Sequence, residues 1–418
     1  VHVIPKANKH DKPLNKFMKA VILAAGEGLR CRPLTLTRSK VMIPVANKPL
    51  IEHIINAIAE NGIKEIILVV GYKKERIMDH FGDGNEFGVK ISYVFQDAQL
   101  GTAHAVDQVK EHIDGEFIVL NGDNLIDAGT ISDLLTGKGG EATLLAVERE
   151  ETSGYGVVIP EDRRVKKLLE KPKEVISHLI NAGIYVFSPE IFDEIEQTPL
   201  SETGEYAITE TIQQMITKGK SVFLVESKSL WLDSVHSWDF LKANAVLLER
   251  NRQDLKGTVE KGAIIKGNVV AGENTIIRAG CYIVGPVVIG KNCDIGPNTV
   301  ILPSTAIGDN STINSSVEIH NSILMNDVRV GCNSYISNSL IGANNTIGPH
   351  FSTEVERDLL IELKGILHHA DLLGTVIGDN NAIANRVLIK AGKMITNNCK
   401  LEPGTTVYKD IPPGSIVV

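Results

Sequence analysis

Glycine and basic residues lie close together in one short stretch near the start of the chain. LAAGEGLRCRPLT occupies residues 23–35, and Lys40 follows shortly after it. Glycines let backbone N–H groups approach a phosphate chain, and Arg30, Arg32 and Lys40 can offset charge that develops on phosphate oxygens. Such glycine spacing is found in many nucleotide folds, and the stretch lacks the Gly-Lys-Ser/Thr end of a P-loop. The sequence therefore predicts a phosphate site that is not a P-loop.

Two aspartates further along have the chemistry of metal ligands. Asp123 ends an apolar run in LNGDNL (120–125), and Asp233 lies in WLDSVHSWD (231–239). In proteins Mg²⁺ usually takes one or two carboxylates and completes its shell with phosphate oxygens and water. A helix cap is the alternative for an aspartate taken singly. We expect Asp123, at the end of a strand and beside the phosphate loop, to bind Mg²⁺ together with a phosphorylated substrate.

Short apolar runs alternate with amphipathic stretches between Met18 and about residue 245. The runs are typical of buried strands, and they are AVILAAG (20–26), EIILVVGY (65–72), FIVLNGD (117–123), ATLLAVE (142–148) and NAGIYVFS (181–188). This alternation predicts an α/β fold with a Rossmann-like, doubly wound mixed sheet. Ligands of such sheets bind beyond the carboxyl ends of the strands, where this chain places its Gly, Asn and Asp residues.

Beyond about residue 258 an apolar residue recurs at every sixth position. The first run extends from Ile289 to Ile319, and the second extends from Ile377 to Val407. This hexapeptide repeat is the signature of a left-handed parallel β-helix, in which each unit forms one side of a triangular coil. A β-sandwich is the alternative, but its strands would alternate with a period of two and vary in spacing.

The change of pattern divides the chain into parts. We expect an α/β domain over residues 18–237, a linker helix over 238–258 and a β-helix domain over 259–418. Residues 351–375 abandon the six-residue period, so we expect them to form a loop inserted into one coil. Residues 1–17 carry four lysines and no continuous apolar segment. They are expected to form a mobile N-terminal extension.

The composition is that of an acidic globular protein. The chain has 43 Lys+Arg against 51 Asp+Glu, a formal net charge of −8. This charge gives no electrostatic reason to expect nucleic acid or an anionic membrane as a partner. No apolar run approaches the ~18 residues that span a bilayer. The five cysteines are scattered without a CxxC pair, so we expect no disulfides, no structural zinc and a cytoplasmic location.

The first motif carries a family resemblance. LAAGxGxRxRPLT followed by KVMIPVANKPL (40–50) resembles the sugar-1-phosphate nucleotidylyltransferases, which have the nucleotide-diphospho-sugar transferase fold. The hexapeptide repeat narrows the resemblance to the bifunctional N-acetylglucosamine-1-phosphate uridylyltransferase/glucosamine-1-phosphate acetyltransferase family of the archaeal type. It implies that Arg30 and Lys40 contact the triphosphate. It also implies a pyrophosphate loop formed by Leu23, Ala24, Ala25 and Gly26. WLDSVHSWD resembles the WxD segment of thymidylyltransferases, which implies Asp233 as the second Mg²⁺ ligand.

The resemblance also assigns residues to the nucleobase. QDAQLGTAHAV (96–106) resembles the segment that reads the base. The amide of Gln96 can donate and accept together, which suits the imide edge of uracil or thymine. Gly101, Thr102 and Gly122 would complete the nucleotide contacts, although a simple helix start is the alternative for the Gly-Thr pair. The resemblance therefore implies UTP or dTTP as a substrate.

Three short stretches further on resemble the sugar pocket of the same family. The resemblance implies that Gly156 leaves room for the hexose, while Glu170 and Asn181 bond its hydroxyl groups. Lys171 would hold the sugar phosphate. The hexose itself stays open between N-acetylglucosamine 1-phosphate and glucose 1-phosphate, because both share the contacted hydroxyls. A mannose-1-phosphate transferase and a regulatory homologue are the alternatives on the same plan.

The implied reaction is attack by a phosphate oxygen of the sugar 1-phosphate on the α-phosphorus of the nucleoside triphosphate. Pyrophosphate leaves, and no covalent protein nucleophile is needed. Mg²⁺, Arg30, Lys40 and Lys171 would align two anions that repel each other and would stabilise the developing charge.

Relatives with this β-helix also acetylate an amino sugar phosphate with acetyl-CoA, using a His as general base beside a Tyr and an Asn. Tyr335 matches that Tyr, but Cys332 stands at the His and Thr346 at the Asn. A thiol with a pKa near ~8.5 is a poor base toward an ammonium group at neutral pH. His320 or His350 would substitute only if a coil brought it to the same edge. We therefore expect acetyltransferase activity to be absent or weak, and the β-helix to form a homotrimer or a dimer of trimers.

Overall fold

A computed structural model of the protein describes residues 18–201, 204–363 and 365–418, so the expected extension over 1–17 lies outside the described residues. By its internal contacts the chain separates into two units. The first contains the chain as far as Gly26 together with Ile51–Trp231, and the second contains Glu27–Leu50 and Leu232–Val418. The phosphate-loop stretch therefore contributes its first residues to one unit and its basic residues to the other.

The first unit is built on one nine-stranded sheet. Its order from edge to edge is Lys90–Phe95, Glu65–Val70, Lys19–Ala24, Phe117–Asn121, Leu179–Phe187, Ala142–Glu148, Val222–Glu226, Arg164–Leu169 and Val157–Glu161. Lys19–Ala24 runs parallel to both of its neighbours, whereas Leu179–Phe187 runs antiparallel to Phe117–Asn121. The predicted Rossmann-like mixed sheet is confirmed.

Helices cover the sheet because each buries one apolar stripe. In Ile208–Thr217 the buried residues Ile208, Ile212 and Met215 recur at helical spacing. They join strand residues such as Phe187 in one apolar core. The α-helices of this part of the chain are Leu50–Glu60, Lys74–Phe81, Thr102–Asp107, Ala128–Gly137, Ile191–Ile195 and Ile208–Thr217. No helix in the described ranges is long and apolar enough to cross a membrane.

The second unit is dominated by a parallel β-helix with three sheets, which confirms the predicted architecture. Its first sheet contains Asp254–Leu255, Val269–Ala271, Val287–Ile289, Thr305–Ile307, Ile323–Leu324, Leu340–Ile341, Val376–Ile377 and Met394–Ile395. The second contains Thr258–Val259, Ile276–Ile277, Asp294–Ile295, Thr312–Ile313, Arg329–Val330, Thr346–Ile347, Ala382–Ile383, Lys400–Leu401 and Ile416–Val417. The third contains Ile264–Lys266, Tyr282–Val284, Val300–Ile301, Glu318–His320, Tyr335–Ser337, Ser352–Thr353, Leu388–Ile389 and Thr406–Val407.

The six-residue repeat follows from the triangular coil. Ile289, Ile295 and Ile301 lie one after another in the first, second and third sheets. Ile289 pairs with Ile307 in the next coil, three hexapeptides further along the chain. All of these isoleucines are buried in one core that runs through the coils. Each apolar position of the repeat thus points inward and stacks on its equivalent in the next coil.

The two sequence runs are one continuous β-helix in which the period slips twice. Leu324 follows Ile319, and Ile341 follows Ile336, each after one residue fewer than the repeat requires. The pairing nevertheless continues, because Leu324 pairs with Ile341 in the first sheet. A turn shortened by one residue at each of these two places interrupts the six-residue spacing in the sequence, while the coil itself continues.

The expected loop over 351–375 is mainly a β-hairpin. Glu356–Leu363 and Ile366–Leu373 pair antiparallel, while Ser352–Thr353 still belongs to the coil. The hairpin buries Ile361 and exposes Leu360. The linker region also differs from its prediction, since the helix covers only Asp239–Leu248 and Asp254–Leu255 already pairs within the first sheet of the coil.

Candidate active site

The predicted pyrophosphate loop, residues 23–26, lies at the carboxyl edge of the sheet and is held by the loops that follow neighbouring strands. The Leu23 carbonyl accepts from Gly122 N at 2.9 Å, and the Ala25 carbonyl accepts from Tyr72 N at 3.0 Å. Gly26 is exposed, and no atom lies within 4 Å of the position that a Cβ would take there. Hydrogen bonds from neighbouring loops thus fix the backbone of this loop, while Gly26 stays exposed to solvent.

Gly71 is a residue of this edge that the sequence analysis missed. A Cβ at Gly71 would lie 2.9 Å from the Gln96 carbonyl oxygen and 3.0 Å from the Ala25 carbonyl oxygen. Three loops approach so closely here that only glycine fits. The signal was present in the glycine that directly follows the strand Glu65–Val70.

Gln96 is buried with its amide group fixed from one side. Its side-chain Nε2 donates to the Gly101 carbonyl at 3.1 Å and lies 2.9 Å from Nδ1 of His104. Only 4% of Gln96 is exposed. The sequence analysis expected this amide both to donate to the base and to accept from it. In the structure both amide hydrogens face protein groups, so Oε1 is the atom that suits the N3–H of uracil or thymine.

Gly101 and Thr102 hold the segment that carries Gln96 against a second loop. Gly101 has φ +109, and a Cβ on it would overlap the backbone of Tyr206. The Thr102 hydroxyl accepts from Ile208 N at 2.9 Å, at the start of the helix Ile208–Thr217. The structure therefore gives Thr102 a positioning contact that its sequence motif alone did not show.

Gly156, Glu170 and Asn181, which the resemblance assigns to the sugar, lie close together in the first unit. A Cβ on Gly156 would lie 3.4 Å from Oε2 of Glu170 and 3.5 Å from Cβ of Asn181. Asn181 N donates to the Gly156 carbonyl at 2.8 Å. The Asn181 amide donates to the hydroxyl of Tyr185 at 2.7 Å, and burial raises the pKa of that phenol, which keeps it neutral. The cluster is thus a group of polar side chains that is attached to the buried Tyr185.

Thr209 joins this cluster and was not recognised from the sequence. Its Cγ2 lies 3.7 Å from the position of a Gly156 Cβ. Its hydroxyl is buried and has no hydrogen-bond partner among the described residues. A buried hydroxyl without a partner is costly unless a ligand supplies one. Its place in the first turn of a helix remote in sequence from Gly156 gave no signal.

Lys171 projects from the same side of the chain as Glu170. It has φ +43, and its Nζ lies 3.3 Å from Oε1 of Glu170. The lysine side chain is 60% exposed, so the ammonium group is accessible to an anionic ligand. This arrangement places a cation beside Glu170 of the cluster around Gly156.

Each proposed metal ligand follows a fixed backbone segment. Asp123 comes directly after Gly122, whose N–H bonds to Leu23. Asp233 comes two residues after Trp231, whose Nε1 donates to the Ala182 carbonyl at 2.9 Å. Within the described ranges no three His, Cys, Asp or Glu side chains form a ready metal site.

The second unit carries the basic part of the phosphate-loop stretch. Arg30 is exposed in the 3₁₀ turn Leu29–Cys31, while Arg32 forms an ion pair with Glu27. Cys31 is fully buried, and its thiol contacts the Val235 carbonyl at 3.5 Å. Both arginines are exposed, with Arg32 paired to Glu27, and Cys31 is a packing residue.

Lys40 packs its aliphatic stem on Gly28. A Cβ on Gly28 would lie only 2.6 Å from the Lys40 Cβ, and Gly28 has φ +69. The Thr35 hydroxyl donates to the Gly28 carbonyl at 3.0 Å. Lys40 is itself 9% exposed. The second glycine of the motif therefore makes room for the lysine as well as for the turn.

Comparison with known proteins agrees with this arrangement. Residues 19–250 match the Nucleotidyl transferase family. This chain belongs to that family. Residues 283–411 match the GMPPB C-terminal domain. The family resemblance of the first motif is thereby confirmed for the nucleotidyl transferase part, and the second match falls within the β-helix.

Similar proteins cover most of the chain. The Bifunctional protein GlmU of Methanococcus maripaludis is 38% identical over 408 residues, which cover 96% of this chain and 97% of that protein. The glucose-1-phosphate thymidylyltransferase of Streptomyces antibioticus is 36% identical over 61% of this chain and 73% of its own. A UDP-glucose pyrophosphorylase structure shares the fold, with a TM-score of 0.50 and 24% identity over 56% of this chain and 99% of that one.

The β-helix of this nucleotidyl transferase family member brings together some of the residues considered for acetyl transfer. His320 lies beside Tyr335, with ring centroids 5.4 Å apart, and its Nε2 is 2.6 Å from Oε1 of Glu318. His350 lies one coil beyond Cys332 and donates its N–H to the Cys332 carbonyl at 2.9 Å. His320 therefore shares a face with Tyr335, while His350 shares a corner with Cys332.

Proposed function

We propose that the protein is a Mg²⁺-dependent sugar-1-phosphate nucleotidyltransferase. It transfers a nucleotidyl group from UTP or dTTP to N-acetylglucosamine 1-phosphate or glucose 1-phosphate, giving a nucleotide sugar and pyrophosphate. The observation that carries the proposal is the pairing of two features in one unit. An open glycine loop and the buried Gln96 flank Gly71, and a polar cluster surrounds Gly156. The names of the relatives, GlmU and a glucose-1-phosphate thymidylyltransferase, support the same reaction class.

The nucleotide end of the site uses backbone groups and fixed charges. Leu23, Ala24, Ala25 and Gly26 bind the phosphate chain, and Gly122 holds Leu23 in place. Arg30 and Lys40 offset the triphosphate charge. The Gln96 Oε1 accepts from the base, and this preference for an imide N–H selects a pyrimidine.

The sugar end uses the cluster around Gly156. Glu170 and Asn181 bond hydroxyl groups of the hexose, and the missing Cβ of Gly156 leaves space for its ring. Lys171 attracts the phosphate of the acceptor, because its ammonium group is exposed beside this cluster. The reaction joins two anions, so alignment and charge neutralisation by these side chains supply the catalysis.

Asp123 and Asp233 fit Mg²⁺ by the chemistry of their donors. Two carboxylates are hard oxygen ligands that leave most of a Mg²⁺ shell to phosphate oxygens and water. When bound, the ion supplies positive charge that offsets the charge on the phosphate groups.

A substrate panel tests the function. The protein is mixed with Mg²⁺, each of four nucleoside triphosphates and each of four sugar 1-phosphates, and pyrophosphate release is measured. We expect release with UTP or dTTP and with a gluco-configured acceptor. Release that needs a purine nucleotide would contradict the role of Gln96, and no release with any pair would make the chain a binding or regulatory protein.

Acetyl transfer from acetyl-CoA to an amino sugar phosphate is a second candidate, which we propose to be absent or weak. The pairing of His320 with Glu318 beside Tyr335 is the feature in its favour, and Cys332 in place of a histidine is the feature against it. Free-thiol detection of CoA with glucosamine 1-phosphate or galactosamine 1-phosphate measures it. Robust turnover that survives Cys332→Ala and is lost in His320→Ala would show that His320 is the base.

A further inference from the structure

A buried ion pair ties the segment before Lys40 to a late coil of the β-helix. Arg38 is 5% exposed and Asp379 is 2% exposed, and the guanidinium donates to Oδ2 of Asp379. The Thr37 hydroxyl donates to the same oxygen at 2.6 Å, and the Arg38 guanidinium also contacts the sulfur of Met325. A buried charge is stable only with its partner in place, so this contact fixes the segment closely.

The same segment is attached to the β-helix unit at its other end. Asn47 donates from Nδ2 to the Ile307 carbonyl at 2.6 Å. Ala46 N donates to Oδ1 of Asn244 at 2.9 Å, and the same asparagine donates to the Ser304 carbonyl at 2.8 Å. The chain from Thr37 to Asn47 is therefore held at both ends by groups of the second unit.

Lys40 lies inside this held segment. It comes two residues after Arg38 and begins the 3₁₀ turn Lys40–Met42. Its stem touches Gly28, which has no room for a Cβ. Gly28 directly precedes the turn that carries Arg30. A displacement at Arg38 would therefore move the lysine and, through Gly28, the arginine.

The negative charge of Asp379 has no other evident task. Its Oδ1 accepts from Ala343 N at 2.9 Å, a turn contact that other coils also make. Asp309 makes it to Lys291 N at 2.7 Å, and the neutral Asn326 makes it to Asp309 N at 3.0 Å. An asparagine oxygen is enough for this turn contact. The negative charge of Asp379 is therefore needed only to pair with the guanidinium of Arg38.

We propose that Asp379 is a positioning residue for the nucleotide end of the site. By pairing with Arg38, it sets Lys40 and Arg30 where the triphosphate binds, so the β-helix takes part in nucleotidyl transfer. This inference rests on the proposed function, since it takes Lys40 and Arg30 as triphosphate ligands.

The test compares Asp379→Asn with Asp309→Asn. Both variants keep the turn contact, and only the first removes the partner of Arg38. Binding of UTP with Mg²⁺ is measured by calorimetry, and KM is measured for both substrates. We expect Asp379→Asn to weaken UTP affinity by roughly tenfold or more, with KM for the sugar phosphate unchanged, because the sugar cluster belongs to the other unit. Asp379→Glu should recover part of the loss, and Asp309→Asn should bind as the wild type does.

A second variant separates positioning from folding. Arg38→Gln/Asp379→Asn leaves no unpaired buried charge, so it should fold even where Asp379→Asn does not. Its UTP affinity should stay low, because the charged tie to Lys40 is gone. Wild-type UTP affinity in the folded double variant, or equal affinity in Asp379→Asn and Asp309→Asn, would overturn the proposal. Failure of the wild type to transfer nucleotides would instead count against the proposed function, while the binding comparison would still test Asp379.

Discussion

Nε2 of His236 lies 3.0 Å from Nδ1 of His368, so one imidazole donates a hydrogen bond to the other. His236 lies three residues after the proposed metal ligand Asp233. Its ring stacks on that of Trp238, with ring centroids 4.6 Å apart. His368 belongs to the hairpin strand Ile366–Leu373. The hairpin inserted into the β-helix therefore contacts the segment that carries one end of the proposed site.

Acid should weaken this hairpin contact. Burial, then His236 and then Arg30 lower the pKa of His368 below its ordinary 6.5, and Asp239 lies on the far side of His236. The unfolded hairpin thus binds the proton more tightly than the folded one. The stabilisation is complete above about pH 6.5 and falls as the pH drops below it. Amide hydrogen exchange of the hairpin strands, corrected for intrinsic rates, should show lost protection at acidic pH.

His368→Gln is the control for the acid effect, since glutamine keeps hydrogen-bonding capacity without titrating. Its hairpin protection should change much less between pH 8 and pH 5.5 than that of the wild type. Equal pH dependence in the two proteins would show that His368 is not the titrating group.

Replacing either proposed metal carboxylate should lower turnover strongly. Asp123→Asn and Asp233→Asn each remove a negative charge from the proposed ion while keeping the size of the side chain, so kcat should fall by roughly 100-fold or more. Asp254→Asn, at an exposed position of the first coil, is the matched control. Near-normal Mg²⁺-dependent activity in Asp233→Asn would rule out the two-aspartate assignment, and circular dichroism checks folding.

Gln96→Glu should weaken pyrimidine nucleotide binding by roughly tenfold or more. A carboxylate at this buried position faces the Gly101 carbonyl without a hydrogen to donate. Gln108→Glu is the matched control, because Gln108 lies on the other side of His104, with Nε2 3.4 Å from its Nε2. Affinity for UTP is measured by calorimetry for both variants. Equal affinities would remove Gln96 from the base site.

Gly156→Ala should raise KM for the sugar phosphate by roughly tenfold while leaving KM for UTP unchanged. The new Cβ fits the fold, since its nearest neighbour would be Oε2 of Glu170 at 3.4 Å, but it takes space that the hexose needs. Gly115→Ala adds the same methyl group with no neighbour within 4 Å and is the control. A uniform loss for both substrates would point to a folding defect instead.

One face of the β-helix should mediate assembly into a homotrimer or a dimer of trimers. Ile264, Tyr282 and Val300 follow one another in register on the third sheet, and Ile264 is 50% exposed. Burial of such a column removes apolar area from water. Light scattering should give the mass of a trimer or its double, and Val300→Lys should reduce it. A wild-type monomer at micromolar concentration would contradict this assembly.

Features that repeat at fixed spacing could be predicted from the sequence. The spacing of Ile289 and Ile295 identifies the coil, because each side of the coil is a six-residue unit with one buried apolar residue at the same position. Apolar strands that end in Gly or Asp identified the edge of the sheet where Gly122 contacts Leu23. The slips at Leu324 and Ile341 could not be predicted, because a fixed period loses phase when a turn shortens by one residue.

Features that depend on distant chain segments were beyond sequence reasoning. Gly71 is required only because two other loops approach it, and Thr209 faces Gly156 from a helix further along the chain. Thr102 matched a base-reading motif, yet its hydroxyl accepts a hydrogen bond from the backbone N–H of Ile208. Periodicity and motif spacing describe neighbours in sequence, whereas these contacts depend on how the folded loops come together.

The tie between Arg38 and Asp379 joins residues that are 341 positions apart in the chain. During synthesis the strand Lys19–Ala24 and the lysine motif leave the ribosome long before Asp379 does. Native contacts between such distant positions form late, because the intervening chain must first exist and be ordered. Nascent chains arrested before Asp379 should therefore bind UTP more weakly than chains extended beyond the coil that carries it. Nucleotide binding would then mature only after that coil has been made, which makes the coil a checkpoint for a functional nucleotide site.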